Sequence, residues 1–185
     1  MKNFLFIALF LSLIIGGCED KPELSTKPDG SNKAEWIKLP AKVNSTLEKV
    51  FYVEKSINGQ TGGEILLDAS YAGGPLGTVY VYSKIIFPPN SFNGTVNFTM
   101  TVSDDEAVLI FEPSMVFNLP AILDVRFEGL DLTGIDPAAV SFYYKNDDGS
   151  VEYVDRNTLT VDVRKGKLHL DDAIIPHFTR LGFTR

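Results

Sequence analysis

From Trp36 onward, apolar and polar residues alternate with a period of two rather than 3.6. In "TVNFTMTV", Val96, Phe98, Met100 and Val102 interleave with Thr95, Asn97, Thr99 and Thr101. Leu123, Val125 and Phe127 interleave in the same way with Asp124, Arg126 and Glu128. Successive side chains of a strand point to opposite faces, so this pattern predicts strands with one buried and one wet face. "TVYVYSKIIFPP" puts Val79, Val81, Ile85 and Phe87 on one side, with Tyr80, Tyr82 and Ile86 on the other. "VSFYYKNDDGSVEYV" predicts a hairpin turning at Asn146-Asp147-Asp148-Gly149, and "TLTVDVRKGKLHLDD" a second turning at Arg164-Lys165-Gly166-Lys167. A strand near 47–57 extends one sheet. A single closing strand is expected over 175–183, with Ile175, His177, Thr179, Leu181 and Phe183 on one face. After residue 17 only "LDLTGIDPAAV" has room for a short helical turn. Frequent strands punctuated by Gly and Pro predict an all-β antiparallel sandwich.

The N-terminus breaks the pattern. Lys2 is followed by an uncharged run from Phe4 to Ile15, short of the roughly 20 residues that span a bilayer. It fits a secretory signal over residues 1–17. Ile14-Ile15-Gly16-Gly17 then leads into Cys18, the chain's single cysteine, and this resembles the lipobox of bacterial lipoproteins. The resemblance implies that the leader is removed and Cys18, the new N-terminus, carries fatty acyl chains such as palmitate. Two chains hold a membrane stably where one holds it marginally. The competing reading makes Cys18 an ordinary leader residue, with cleavage at another small residue. With no second cysteine, a disulfide within the chain is excluded. Residues 18–35, rich in Pro, Ser, Lys, Asp and Gly, read as a disordered tether. Residues 36–185 are then the folded domain, anchored in the cell envelope, with membrane and face left open. Twenty-four acidic residues oppose 17 basic ones, a net charge of −7 that argues against nucleic acid as a partner.

Five short elements occur in order. They are Gly62-Gly63, Pro88-Pro89 after Phe87, Phe111-Glu112-Pro113, Pro120 before a strand, and His177-Phe178-Thr179. Together they resemble the ZU-five domain, the β-rich module shared by zonula occludens proteins, ankyrins and netrin receptors. The resemblance spans about 58–185 and also extends to secreted bacterial relatives. It implies a non-catalytic interaction module. It further implies an alternative, because some relatives cleave themselves at a His-Phe-Ser tripeptide. Thr179 would then attack the Phe178 carbonyl with His177 as base, although Thr replaces the family's Ser. The plainer reading makes these three residues part of the closing strand.

Other chemistry is sparse in the sequence. His169 lies in an alternating strand, neither G-x-S-x-G nor H-E-x-x-H occurs, and no transition-metal site or cofactor is expected. The acidic pairs, among them Asp104-Asp105-Glu106 and Asp171-Asp172, are expected in loops rather than as a catalytic pair. Asn146, Asp147, Asp148 and Asp155 offer oxygen ligands for calcium, but Tyr144 stands where an EF-hand loop requires Asp, and a hairpin turn accounts for the same residues. Tyr80, Tyr82, Tyr143 and Tyr144 are the binding candidates, for an envelope protein or a glycan. Of the adjacent pair 143 and 144, one ring must point inward.

Overall fold

The computed structural model describes residues 34–43, 51–146 and 148–185. The strands β1 (Tyr52–Asn58), β2 (Gly63–Ala72) and β3 (Thr78–Phe87) come first. They are followed by β4 (Thr95–Val102), β5 (Val108–Glu112) and β6 (Val116–Glu128). A short 3-10 turn at Pro137–Ala139, capped by the Asp136 side chain, precedes β7 (Ser141–Lys145) and β8 (Val151–Tyr153). The chain closes with β9 (Arg156–Asp162), β10 (Lys167–His177) and β11 (Arg180–Thr184).

These strands form an all-β sandwich of two antiparallel sheets. One sheet has the order β1-β4-β5-β11-β7-β8 and the other β2-β3-β6-β10-β9. The alternation puts Val96-to-Val102, Val79-to-Phe87 and Leu123-to-Phe127 inward as expected, and most of these side chains are buried. Both hairpins form, β7 with β8 and β9 with β10. β1 accounts for the described part of the strand expected near 47–57. Ser83 is the exception inside β3, its hydroxyl buried with no hydrogen-bond partner among the described residues.

The Gly62-Gly63 pair has a steric explanation. Gly62 adopts φ +70°, and a Cβ there would sit 2.3 Å from the Phe87 carbonyl oxygen, so the β1–β2 turn admits no side chain. Residues 34–43 run alongside the sandwich. The Ile37 N–H donates to Phe183 O at 2.9 Å and the Leu39 N–H to Asp105 O at 2.9 Å, while both side chains are buried. Glu35, expected in the tether, instead binds the Arg185 guanidinium at 2.6 Å. Glu106 gathers Lys38 and Lys145. Burial raises its carboxyl pKa, but the hydrogen bonds from Lys145 and Lys38 outweigh it and hold the group below its ordinary value.

Two expectations are corrected. The residues 175–183 are not one strand: β10 ends at His177 in the five-stranded sheet, and β11 begins at Arg180 in the six-stranded one. Phe178-Thr179 is therefore the corner at which the chain crosses between sheets, and simple alternation fails there. Asp171-Asp172 lies within β10, not in a loop. The pairing of β10 with β6 shifts register between Leu170 and Ala173, which leaves one extra residue in β10, and Asp172 adopts φ 52° there.

Candidate functional site

The His177-Phe178-Thr179 corner is built around the Phe178 ring, which is 1% exposed. It meets Phe87 and Phe117 from one sheet at 5.7 and 4.8 Å, and Phe98 and Phe111 from the other at 5.3 and 4.6 Å. The backbone is pinned as firmly. The Phe178 N–H donates to Met115 O at 2.8 Å, and the Phe111 N–H donates to Thr179 O at 3.2 Å. The Ser114 hydroxyl donates to the Phe178 carbonyl oxygen at 2.8 Å. That is the position in which a donor would stabilise charge developing on this carbonyl. The Glu112–Pro113 peptide preceding Ser114 is cis.

The His177 ring is engaged elsewhere. It stacks on Tyr144, centroids 4.3 Å apart and planes 20° apart, and its Nε2 lies 3.7 Å from Glu152 Oε1. The Tyr144 hydroxyl donates to the His177 carbonyl at 3.3 Å. Burial pushes the Tyr144 phenol well above its ordinary value and the Glu152 carboxylate adds to this, while the hydrogen bond to His177 opposes it. A cleft of about 480 Å³ opens beside the corner, lined among others by Asn97, Thr99, Glu112, Ser114, Thr179 and Arg180. Ser114, Tyr144 and Glu152 were not legible as neighbours of the tripeptide, because only sheet pairing over long sequence distances brings them there.

The tyrosine candidates divide between the sheets. Tyr144 is 1% exposed and belongs to the core, so it is withdrawn as a binding residue: even positions of β7 face inward. Tyr143 is its outward neighbour and packs edge-on against Tyr153 at 6.2 Å. Tyr80 and Tyr82 lie on the outer face of the other sheet, Tyr80 at 53% exposure. Register there aligns Asp68, Tyr82, Arg126, His169 and Thr160 in one row across all five strands. The Arg126 guanidinium lies 5.3 Å from the centre of the Tyr82 ring, and its Nε lies 3.5 Å from Glu128 Oε1. Tyr80 stands in the next row, opposite Ser70 and Glu128. The sequence pointed to the tyrosines but not to Arg126, His169 and Asp68 beside them.

The same face holds three carboxylates, Asp124, Asp171 and Asp172, with oxygens within 4.8 Å of one another. The Asp172 N–H donates to Asp124 Oδ1 at 3.0 Å, and Lys84 Nζ lies 3.6 Å from Asp124 Oδ2, so Asp124 already has a protein donor and a cation. At the β7–β8 turn, Asp148 Oδ1 accepts the Ser150 N–H and hydroxyl, and Asn146 Nδ2 donates to Ser150 Oγ at 3.0 Å. These side chains knit the turn itself. Cys18 and Asp147 lie outside the described residues. Compared with known proteins, the chain matches no family model, no curated protein and no solved structure.

Proposed function

We propose that the protein is a non-catalytic binding module, lipid-anchored in the cell envelope through Cys18, whose working surface is the outer face of the five-stranded sheet. The observation that carries the binding role is the row Asp68, Tyr82, Arg126, His169 and Thr160 with Tyr80 exposed beside it. Aromatic faces and forked polar donors on the outside of a sheet suit a protein surface or a glycan. The anchor rests on the lipobox-like stretch before Cys18. The ZU-five resemblance supports an interaction role and adds no ligand.

Two measurements test this reading. The Cys18→Ser variant is expected to leave the membrane fraction for the soluble envelope fraction; unchanged partitioning refutes the anchor. A glycan array and a pull-down from envelope extract, each repeated with Tyr80→Ala/Tyr82→Ala, test the face. Ligands that bind the double variant equally well place the binding surface elsewhere.

Self-cleavage between Phe178 and Thr179 is the second reading, favoured by the Ser114 hydroxyl on the Phe178 carbonyl. Thr179–Arg185 would stay paired as β11 between β5 and β7 after a cut, so intact mass is measured under denaturing conditions. Loss of that peptide, abolished by Thr179→Ala, supports this reading; a single full-length mass ends it.

A further inference from the structure

We propose that β9 is a dimerisation edge, on which a second copy of this chain lays its own β9 antiparallel to make one continuous ten-stranded sheet. On its inner side β9 pairs with β10 from Arg156↔Ala173 to Asp162↔Lys167. Among the described residues, no backbone group bonds to its other side.

Among the described residues the sandwich has four edge strands, and three of them carry a device that discourages pairing. β1 has Glu54 and Lys55 at its middle, and β8 is three residues long. β2 carries Glu64 and Asp68, and its far end is taken by the Val43 N–H, which donates to Ala72 O. In β9 the five central residues, Asn157-Thr158-Leu159-Thr160-Val161, include no charge, no proline and no glycine.

The partner that fits this edge is the edge itself. Read against its own reverse with Leu159 at the centre, "RNTLTVD" sets Thr158 opposite Thr160 of the second copy, and Asn157 opposite Val161. At both ends Arg156 then faces Asp162, joining opposite charges across the two-fold axis. This register pairs all seven residues. A slip by two leaves two residues of each strand unmatched and sets Arg156 opposite Thr160, or Asp162 opposite Thr158. At home, Asp162 Oδ1 accepts the Lys165 N–H at 3.1 Å, and the end charges otherwise have only light engagements. The Arg156 guanidinium lies 5.0 Å from the Tyr153 ring and donates to Val154 O at 3.2 Å, while Asp162 Oδ2 lies 3.9 Å from Lys165 Nζ.

A two-fold axis perpendicular to the sheet keeps both outer faces on the same side. The dimer therefore displays two copies of the Tyr80–Tyr82 face on one surface, and a repetitive ligand would bind both with the gain that multivalency gives. The dimer itself rests on β9 alone and stands or falls independently of what that face binds.

Disulfide trapping in membranes from cells expressing the full chain tests the register. Residues directly opposite in an antiparallel pair have Cα atoms about 4.5–5.5 Å apart, within disulfide range. Thr158→Cys/Thr160→Cys is expected to give a covalent dimer on mild oxidation, at least fivefold above the native chain, which sets the background. Either single variant stays near background. Asp162→Arg in the double-cysteine chain lowers the yield, and Arg156→Asp added to it restores the yield. A dimer at background level overturns the proposal. So does an equal yield from Asp68→Cys/Ser70→Cys on the β2 edge, or a failure of the charge swap to restore trapping.

Discussion

Phe178 follows the end of β10 and Tyr80 lies near the start of β3; both are aromatic, yet they have opposite fates. Phe178 turns between the sheets, where four phenylalanine rings from both layers close around it. Tyr80 stands on the outside of β3, about half exposed, opposite only Ser70 and Glu128. At the corner the Phe178 ring, N–H and carbonyl oxygen each have a partner: ring against ring, N–H on carbonyl, hydroxyl on carbonyl. On the outer face, Arg126 lies by one ring and leaves the other uncovered. The corner is therefore where the fold is held, and the face is where side chains are free to change partners. Mutations in the two regions should separate stability from binding.

The sharpest separation comes from Phe178→Ala. Removing a fully buried ring between two sheets is expected to cost about 3–5 kcal/mol, read as a lower midpoint in urea unfolding at an unchanged slope. A loss below about 1 kcal/mol would mean that the ring cluster does not bind the sheets together. Ser114→Ala comes next. It deletes the donor to the Phe178 carbonyl and is expected to cost about 1 kcal/mol. If the midpoint does not move, water replaces the hydroxyl at that carbonyl and the corner is looser than its geometry implies.

Alkaline pH probes the interior tyrosines. Burial pushes the Tyr71 phenol up to about 12, and Tyr144 shifts in the same direction. As pH rises past about 10, the unfolded chain releases these protons while the folded chain retains them. The unfolded state then binds fewer protons, so stability falls between about pH 10 and 12. Tyr71→Phe/Tyr144→Phe is expected to lose less stability over that interval than the native chain. Parallel declines would mean that other groups, lysines foremost, carry the alkaline loss.

What the sequence made legible follows the same division. Strands β3, β4 and β6 are buried on one face only, so their alternation is visible as a period of two. In β11 the residues Leu181, Gly182, Phe183 and Thr184 are all buried, because Trp36 lies against the outside of Gly182 and pairs with Thr184. A strand covered on both sides loses its period, and the corner before it becomes indistinguishable from more strand. Asp171 and Asp172 were misplaced for a related reason: a one-residue bulge looks, in sequence, like a loop. The candidate face was half legible. Parity alone sends Tyr80 and Tyr82 outward, but Arg126 and His169 join Tyr82 only through pairings separated by more than 40 residues.

Tyr80→Ala is the smallest change in stability and the one that tests the comparison from the outer side. The ring is half in water and directly opposite polar residues, so its loss should move the unfolding midpoint by no more than about 0.5 kcal/mol. Binding is expected to respond quite differently, since an exposed aromatic at the centre of a contact commonly costs about 1–2 kcal/mol when truncated, or roughly five- to thirtyfold in Kd. Both quantities can be read on one preparation, by urea unfolding and by titration with whichever ligand the array or pull-down returns. Tyr80→Phe refines the result: a retained affinity assigns the contact to the ring face, and a lost one to the hydroxyl. If Tyr80→Ala destabilises the domain as Phe178→Ala does, the outer face is structural after all. The separation between a holding corner and a working face then has no basis.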